Sequence, residues 1–271
     1  MTGEERPPVG DSTRERVQAQ FGRAAEAYVA SPSHAQGASL ARLVELAALE
    51  PSHRVLDVAT SVGHTALAVA PHVAYVLGVD LTPEMLQVAR RLAREREVTN
   101  VEFRAGDAEA LPVEDAAFDR VVCRIALHHF PNPVAAAREM ARAVVPGGRV
   151  VLVDNIVPQA PEPAAFINRF ETLRDPSHHW LFPLKTLAGL FRGAGLTVIH
   201  TETLTKSMDF HDWSARMSVP APLEDWLWTS LDTASDAVRR FLAPRVVDDR
   251  RTFTLHEGIV VAVKAKPAPP P

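Results

Sequence analysis

Two short apolar runs in the sequence each lead to residues that could hold a nucleoside. The first run, 55–58, continues through the small residues Ala59, Thr60 and Ser61, and the second run, 75–79, ends on Asp80. Apolar, β-branched runs of this length are typical of buried parallel strands, and small residues behind a strand let backbone approach a ligand. A carboxylate at the end of the neighbouring strand can accept hydrogen bonds from both ribose hydroxyls. The two strand ends together predict a nucleoside site.

A pair of histidines, His128 and His129, follows a further apolar run at 118–123. Imidazole is the side-chain base whose pKa lies nearest neutrality, and open α/β sheets bind ligands at their carboxyl edge. We expect His129 first, and His128 second, to remove a proton from a substrate or to orient it; the alternative is that either ring only packs at a strand-helix junction. Because neighbours in an extended segment face opposite ways, neither this pair nor 178–179 predicts a metal site.

Length and composition limit the class of protein. The chain has 271 residues, of which 46% are hydrophobic, and its net charge is −4. These values favour one large α/β domain with appended helices and offer no basic surface for nucleic acid. The one cysteine, Cys123, excludes an intrachain disulfide and fits a reducing compartment. No run is long enough to span a membrane, and the polar start lacks a signal pattern, so we expect a cytoplasmic protein.

Strand-like and helix-like segments alternate between residues 54 and 153. This alternation predicts a Rossmann-like α/β fold with a doubly wound, mainly parallel sheet. Thr82 and Asn132 each stand as a capping side chain before a proline, which marks the starts of two helices. The expected strands are 54–58, 74–79, 101–105, 118–123 and 149–153, with helices from about 63, at 83–95 and at 133–143.

The second half of the chain lacks this regular alternation of strand and helix patterns. Residues 156–182 are proline-rich and lack a strand pattern, which indicates an insertion. An irregular stretch with Met208, Trp213 and Met217 follows. Trp213, Met217, Trp226 and Trp228 are suited to wall an apolar acceptor, with ordinary core packing as the alternative for at least two of them. The expected elements are helices at 184–191, 223–231 and 234–242, a strand at 196–203, and a last strand at 253–263 with a break at Gly258. An antiparallel return of this last strand is compatible with the pattern, but periodicity leaves its direction open.

Residues 54–154 resemble the class I S-adenosylmethionine (SAM)-dependent methyltransferases. The resemblance is greatest to the group of the ubiquinone and menaquinone biosynthesis C-methyltransferases, which carry a methyltransferase type 11 domain. The motifs that carry it are short, but their joint order and spacing are specific. They are Val55 to His64, Val79 to Leu86, Gly106 to Pro112, Phe118 to Val121 and Pro146 to Arg149.

The resemblance implies S-adenosyl-L-methionine as the cofactor and gives roles to the residues that match. Asp57 and the backbone of residues 59–63 would hold its methionine part, Asp80 the ribose, and Arg124 would lie near the sulfonium. Asp107 would accept the adenine amino group while the Ala108 N–H donates to the ring. The implied cofactor-binding set is Asp57, Ala59, Thr60, Ser61, Gly63, Asp80, Leu81, Met85, Gly106, Asp107, Ala108 and Arg124.

The acceptor is expected to be a small, apolar or aromatic molecule. Methyl transfer from a sulfonium requires an acceptor held in line and, for a poor nucleophile, removal of a proton. Tyr28 and His34 on an N-terminal helical lid, and His178 in the insertion, are candidates for contact with it. We expect a small-molecule acceptor as partner, with a homodimer left open.

One departure from the family pattern keeps a second hypothesis open. At the three positions where the family has glycine, this chain has Ala59, Ser61 and Gly63. A SAM-binding protein that does not methylate, such as a cyclase or a ligand-binding module, is the alternative. A nicotinamide-dependent oxidoreductase would need Gly-x-Gly-x-x-Gly after the first strand, which is absent from the sequence.

The expected domain organisation follows from these patterns. Disordered tails are expected at both ends, and the cofactor-binding core lies between a lid and a region that covers the substrate. The segments are a tail at 1–12, lid helices at 13–50, the Rossmann-like core at 51–155, an insertion with the remaining core strands at 156–264, and a tail at 265–271.

Overall fold

The computed structural model describes residues 9–29 and 37–266. Two 3₁₀ turns, Ala70–His72 and Leu127–His129, accompany the helices and strands. In chain order the elements are α1 (Val9–Val29), α2 (Ala38–Leu46), β1 (Arg54–Val58), α3 (His64–Val69), β2 (Tyr75–Asp80), α4 (Pro83–Glu95), β3 (Val101–Ala105), β4 (Phe118–Arg124), α5 (Pro133–Ala143), β5 (Val144–Asn155), α6 (Pro161–Arg174), α7 (Leu184–Gly193), β6 (Leu196–Asp209), α8 (Phe210–Ala215), α9 (Ala221–Asp232), α10 (Asp236–Leu242), β7 (Arg245–Val247) and β8 (Arg250–Lys264).

The strands form one sheet in the order β3-β2-β1-β4-β5-β8-β6, with β7 paired to β8. Strands β1 to β5 pair in parallel, and β8 runs antiparallel to β5, β6 and β7. The Rossmann-like, mainly parallel fold expected from the sequence is therefore confirmed. The strand order reverses between β1 and β4, and open α/β sheets bind ligands at the carboxyl ends of the strands beside such a point.

Both faces of the sheet are buried, which explains the continuous apolar strands. Leu56 and Val58 pack on one face with α5 and α7, whereas Val55 packs on the other with α2, α3 and α4. Successive residues of a strand point to opposite faces, so a strand covered on both sides is apolar throughout. A third, aromatic cluster that includes Phe210 and Trp213 joins α6, α8 and α9 beyond the sheet.

Several boundaries differ from the sequence expectations in the second half. The proline-rich segment 156–182 contains α6, because Pro161 occupies the first position of a helix, where proline is favoured. The expected irregular stretch contains α8, whose first turn is capped by the Asp209 side chain accepting from the Asp212 N–H at 3.0 Å. Strand β6 continues to Asp209, six residues past the expected end at Thr203.

The expected break at Gly258 was wrong. Strand β8 passes through this residue without interruption, pairing Gly258 with Asp154 on one side and Thr203 on the other. A Cβ atom at Gly258 would lie 2.6 Å from Cγ2 of Ile156. The glycine is therefore required by a close approach of side chains over the sheet, not by a bend of the strand.

The tails expected at 1–12 and 265–271 lie mostly outside the described residues. Helix α1 begins at Val9, inside the first of these segments. The start of α4 is at Pro83 as expected, although the Thr82 side chain makes no capping hydrogen bond. Within residues 9–29 and 37–266, no helix combines the length and apolar character needed to cross a membrane.

Candidate active site

A cavity opens at the carboxyl edge of β1, β2 and β4. The open space inside it, mouth included, is about 1500 Å³. The loops after β1, β2 and β3 form one side, called here the loop half. Residues of α6, β6 and α8 and the segments after α6 and α8 form the other side, called the helical half. The two halves line one continuous cavity.

The loop after β1 keeps the shape of a glycine loop without two of the glycines. Ala59 and Ser61 have φ angles of 55° and 54°, and Gly63 has 87°. Positive φ is strained for residues with a Cβ atom and free for glycine. Beneath the loop, the buried Asp57 carboxylate accepts a 2.5 Å hydrogen bond from Thr60 Oγ1. The hydrogen bond from Thr60 to Asp57 therefore helps to hold the loop in this conformation.

Asp57 and Gly63 support the cavity without lining it. Burial raises the pKa of Asp57 to about 7, against the opposing effects of the Thr60 hydrogen bond and the Arg124 charge. Gly63 precedes α3, and a Cβ atom there would lie 2.9 Å from the Phe103 ring. Ala59, Thr60 and Ser61 are the members of this loop that face the cavity.

Asp80 joins the first two loops. Its carboxylate accepts hydrogen bonds from the backbone N–H groups of Ser61, at 2.7 Å, and Thr82, at 2.9 Å. Burial raises the pKa of Asp80, and these N–H groups act against that rise. A carboxylate oxygen has two lone pairs, so both oxygens keep acceptor capacity toward the cavity. The Ser61 hydroxyl donates to Sδ of Met85 at 3.4 Å, which directs it to the expected adenine wall.

Helix α1 covers the loop half through two polar side chains that the sequence analysis missed. Arg14 Nε donates to Asp107 Oδ2 at 2.7 Å, and Gln18 Nε2 donates to the Leu81 carbonyl at 2.8 Å. Arg14 also pairs with Glu109. The spacing of four residues places both side chains on one face of the helix, which was the available sequence signal. Arg14 thus donates to the carboxylate that the resemblance assigns to the adenine amino group, and Asp107 Oδ1 also accepts from the Glu109 N–H at 2.8 Å.

The hydrogen bonds of His128 and His129 distinguish the two rings. His128 Nδ1 lies 2.6 Å from Asp154 Oδ1, and its backbone N–H donates to Asp154 Oδ2 at 2.9 Å. His129 Nδ1 lies 3.0 Å from the Ser177 carbonyl, so this nitrogen carries the proton. Among the described residues, His128 Nε2 has no hydrogen-bond partner. Both rings line the cavity.

The surroundings move the histidine pKa values in opposite directions. Burial lowers the pKa of His128, but the charge and hydrogen bond of Asp154 outweigh burial, so the pKa is raised. Burial and the nearby His128 lower the pKa of His129 to about 4. Burial and the neighbouring cations lower the pKa of His178, which contacts Asn168 Oδ1 at 3.0 Å, to about 2. His128 is therefore the strongest base of the three.

The remaining predicted residues, His34 excepted, line the cavity. Burial raises the pKa of Tyr28 to about 12, and Arg124 Nε donates to Thr65 Oγ1 at 3.1 Å. His34 lies outside the described residues. No cluster of histidine, cysteine or carboxylate side chains in the described ranges has the arrangement of a metal site. The predicted residues that line this cavity are Tyr28, Ala59, Thr60, Ser61, Asp80, Leu81, Met85, Gly106, Asp107, Ala108, Arg124, His128, His129 and His178.

The helical half contains charged residues that the sequence analysis did not select. Glu171 and Arg174 at the end of α6, Asp175 after it, and Arg216 after α8 all line the cavity. Their segments have no motif, since each charge is spaced as on an ordinary solvated helix. Only the packing of α6 and α8 over the sheet brings them to the same wall. Trp213 and Met217, expected as apolar walls, line the cavity together with Met208. Trp226 is exposed and Trp228 packs in the aromatic cluster, so these two do not line it.

A cavity at the strand-order reversal of a doubly wound, mainly parallel sheet defines a Rossmann-like α/β protein with a candidate ligand site at the carboxyl edge. The family model described as a methyltransferase domain matches residues 56–152. The uncharacterized methyltransferase YcgJ of Bacillus subtilis is 38% identical over 219 residues, which are 81% of this chain and 87% of that protein. Its crystal structure matches with a TM-score of 0.80 at 35% identity, covering 84% of this chain and 99% of that one.

A demethylmenaquinone methyltransferase of Deinococcus radiodurans is 38% identical over 164 residues, covering 57% of this chain and 67% of that protein. The chain belongs to the class I SAM-dependent methyltransferases. The family and the fold expected from the sequence are thereby confirmed. The roles of single residues and the nature of the acceptor stay predictions.

Proposed function

We propose that the protein binds SAM in the loop half of the cavity and methylates a small acceptor with an apolar or aromatic body in the helical half. The observation that carries the proposal is one continuous cavity lined both by Asp80 and by His128, whose Nδ1 is held by Asp154. Such a cavity would place a cofactor at the strand ends next to an acceptor that a base can reach.

The loop half fits the nucleoside part of SAM. Asp80 has acceptor capacity for the ribose hydroxyls, and Leu81 and Met85 offer an apolar wall for the adenine. The backbone of residues 59–61 faces the cavity and would hold the methionine part. When bound, SAM supplies a methyl group on a positively charged sulfur. Asp107 would accept the adenine amino group through a lone pair that its hydrogen bonds from Arg14 and the Glu109 N–H leave available.

His128 is the proposed base for an acceptor that must lose a proton. Its Nδ1 is held by Asp154, which leaves Nε2 to accept a proton, and the carboxylate then stabilises the imidazolium. His129 has a low pKa and would orient the acceptor as a neutral hydrogen-bonding group. This order reverses the preference for His129 drawn from the sequence, because the hydrogen-bond partners differ.

Calorimetric titration of the purified protein with SAM, S-adenosylhomocysteine and NAD tests the cofactor part of the proposal. We expect the two sulfur nucleosides to bind with dissociation constants of about 1 μM to 1 mM, the usual range for enzyme substrates. NAD should not bind, since the loop lacks its glycine pattern. Failure of both sulfur nucleosides to bind would contradict the proposal.

A panel of small acceptors, with release of S-adenosylhomocysteine as the readout, tests the transfer. Aromatic acceptors with an ionisable hydroxyl, carbon or amine should give product, and the same panel without SAM is the control. Tight SAM binding with no product from any acceptor would favour the non-methylating alternative that Ala59 and Ser61 leave open.

A further inference from the structure

Two guanidinium groups stand on the wall of the helical half, and one of them is fixed by its own contacts. Arg174 donates from Nε and Nη2 to the Trp213 carbonyl at 3.1 and 3.0 Å. Its guanidinium carbon lies 4.6 Å from the centre of the Trp213 ring. These contacts use one edge of the group, and Nη1 is 3.8 Å from Glu171 Oε2. Arg174 is thus held in place by Trp213, and its Nη1 has only the long 3.8 Å contact with Glu171.

The second guanidinium, Arg216, lies near the first. It is partly buried and lines the cavity, yet within the described residues it makes no hydrogen bond or ion pair. Burial, followed by the positive charge of Arg174, lowers the pKa of Arg216. An arginine that is partly buried beside a like charge costs stability unless an anion offsets it.

The neighbouring carboxylates leave Arg216 without a direct partner. The buried Glu171 and Asp175 both act on Arg174, and Glu171 lies 3.8 Å from it. Asp212 acts on Arg216 but is exposed to solvent, which screens its charge. Arg216 is therefore the guanidinium of this wall that no carboxylate among the described residues contacts.

The other cations of the cavity have partners. Arg14 pairs with Asp107 and Glu109 on the loop half, Lys206 Nζ pairs with Glu257 Oε1 at 2.7 Å, and Arg124 Nε donates to Thr65 Oγ1 at 3.1 Å. Arg216 differs from them, because its guanidinium makes no hydrogen bond or ion pair with the described residues.

We propose that Arg216, assisted by Arg174, binds a carboxylate of the methyl acceptor, so that the substrate class is an aromatic or apolar carboxylic acid. The inference rests on the proposed function and refines it. The planar fork of a guanidinium matches the two oxygens of a carboxylate. A carboxylate would bring one negative charge to a wall that already holds the buried Glu171 and Asp175, whereas a phosphate monoester would bring up to two.

The same wall offers a place for the rest of such a molecule. The Trp213 ring and the Met217 side chain line the cavity beside the two arginines. His128 lines the same cavity, with its ring centre 5.6 Å from that of His178 in the helical half, so an acid held at Arg216 would share the cavity with the proposed base.

The test compares small acids with their amides, using the protein saturated with S-adenosylhomocysteine. Benzoate, phenylacetate and 3-phenylpropanoate are titrated by calorimetry, each beside the matching amide, into the unchanged protein and into Arg216→Gln and Arg216→Lys. Arg169→Gln is the control, because it removes the same charge from the exposed side of α6. We expect the acids to bind more tightly than the amides.

In Arg216→Gln the acids should bind about 10- to 100-fold more weakly, which is the effect of losing a hydrogen-bonded charge. Arg216→Lys should show a smaller loss, because the charge remains while the fork is removed. Arg169→Gln should behave as the unchanged protein, and the affinity for S-adenosylhomocysteine should be equal in all variants.

Thermal melting without added acid distinguishes a binding role of Arg216 from a structural one. Arg216→Gln should melt at the same temperature or higher, since it removes the repulsion with Arg174 and breaks no hydrogen bond or ion pair among the described residues. A clear fall in melting temperature, or equal acid binding in Arg216→Gln and the unchanged protein, would overturn the proposal. So would acids that bind no more tightly than amides, or phenyl phosphate that binds more tightly than benzoate.

The outcome is separable from the proposed function. If S-adenosylhomocysteine fails to bind, the methyltransferase proposal fails, and the same acid titrations on the free protein still decide whether Arg216 forms a carboxylate site.

Discussion

The two halves of the cavity recognise their ligands by different means. The loop half uses backbone and short local motifs: Ser61 and Thr82 give their N–H groups to Asp80, and the residues concerned lie within 22 positions of one another in the sequence. The helical half uses side chains from separate segments, such as Arg174 and Arg216, which meet only through packing. A backbone site can serve one cofactor throughout a family, whereas a side-chain site can change with the acceptor.

The largest expected effect comes from removing the proposed base. His128→Ala should lower kcat by about 10²–10⁴-fold, the usual contribution of general base catalysis, with unchanged affinity for SAM. Steady-state kinetics with an acceptor found in the panel measure the effect. His128 lies beside His178 of the helical half, so the variant tests the part of the cavity proposed to hold the acceptor.

His129→Ala is the matched control for that variant. It should lower kcat less, because its ring has a pKa of about 4 and its Nδ1 contacts the Ser177 carbonyl. A greater loss in His129→Ala than in His128→Ala would restore the order that the sequence suggested.

The loop half is tested by Asp80→Ala. We expect the affinity for S-adenosylhomocysteine to fall about 10- to 100-fold, and the free energy of unfolding to fall by about 1–3 kcal/mol, because two buried N–H groups lose their acceptor. Calorimetry and urea denaturation measure the two effects.

Asp119→Ala is a useful comparison because Asp119 Oδ2 also accepts a backbone N–H, from Arg54 at 2.8 Å, at the opposite edge of the sheet. It should leave the affinity unchanged. Equal affinities in Asp80→Ala and the unchanged protein would remove Asp80 from the cofactor site.

The pH dependence of turnover provides a smaller effect. A base must be neutral to act, so kcat should fall as the pH drops through the pKa of His128, which Asp154 raises above 6.5 despite burial. Asp154→Asn should move this fall to lower pH by roughly one unit or more, since it removes the negative charge. The exposed Asp236→Asn is the control. An acid limb that stays in place would show that another group is titrating.

The smallest effect is expected at Ser61. Its φ of 54° is strained, so Ser61→Gly should raise the free energy of unfolding by up to about 1 kcal/mol, net of the entropy that glycine loses. Ser230→Gly, within α9, should instead lower it by about 1 kcal/mol because glycine is a poor helix former. If both variants lose stability equally in urea, the loop carries no strain at Ser61.

The sequence was most informative where structure is local. The apolar runs that became β1 and β2, the proline starts of α4 and α5, and Asp80 at a strand end all follow from contacts between near neighbours. It was least informative where spacing carries no pattern, as in α6 and α8. Gly258 shows the limit, because a glycine in a strand suggests a break, and only the packing of Ile156 against it reveals the real constraint.

By itself the sequence determined the alternating α/β architecture and the family, since hydrophobic period, caps and strand-end motifs act over a few residues. The tertiary structure decided which charges meet: Asp154 with His128, Arg14 with Asp107, and Arg216 beside Arg174. Those pairings depend on how separate strands and helices cross the sheet, and their energies arise only when burial removes the charges from water.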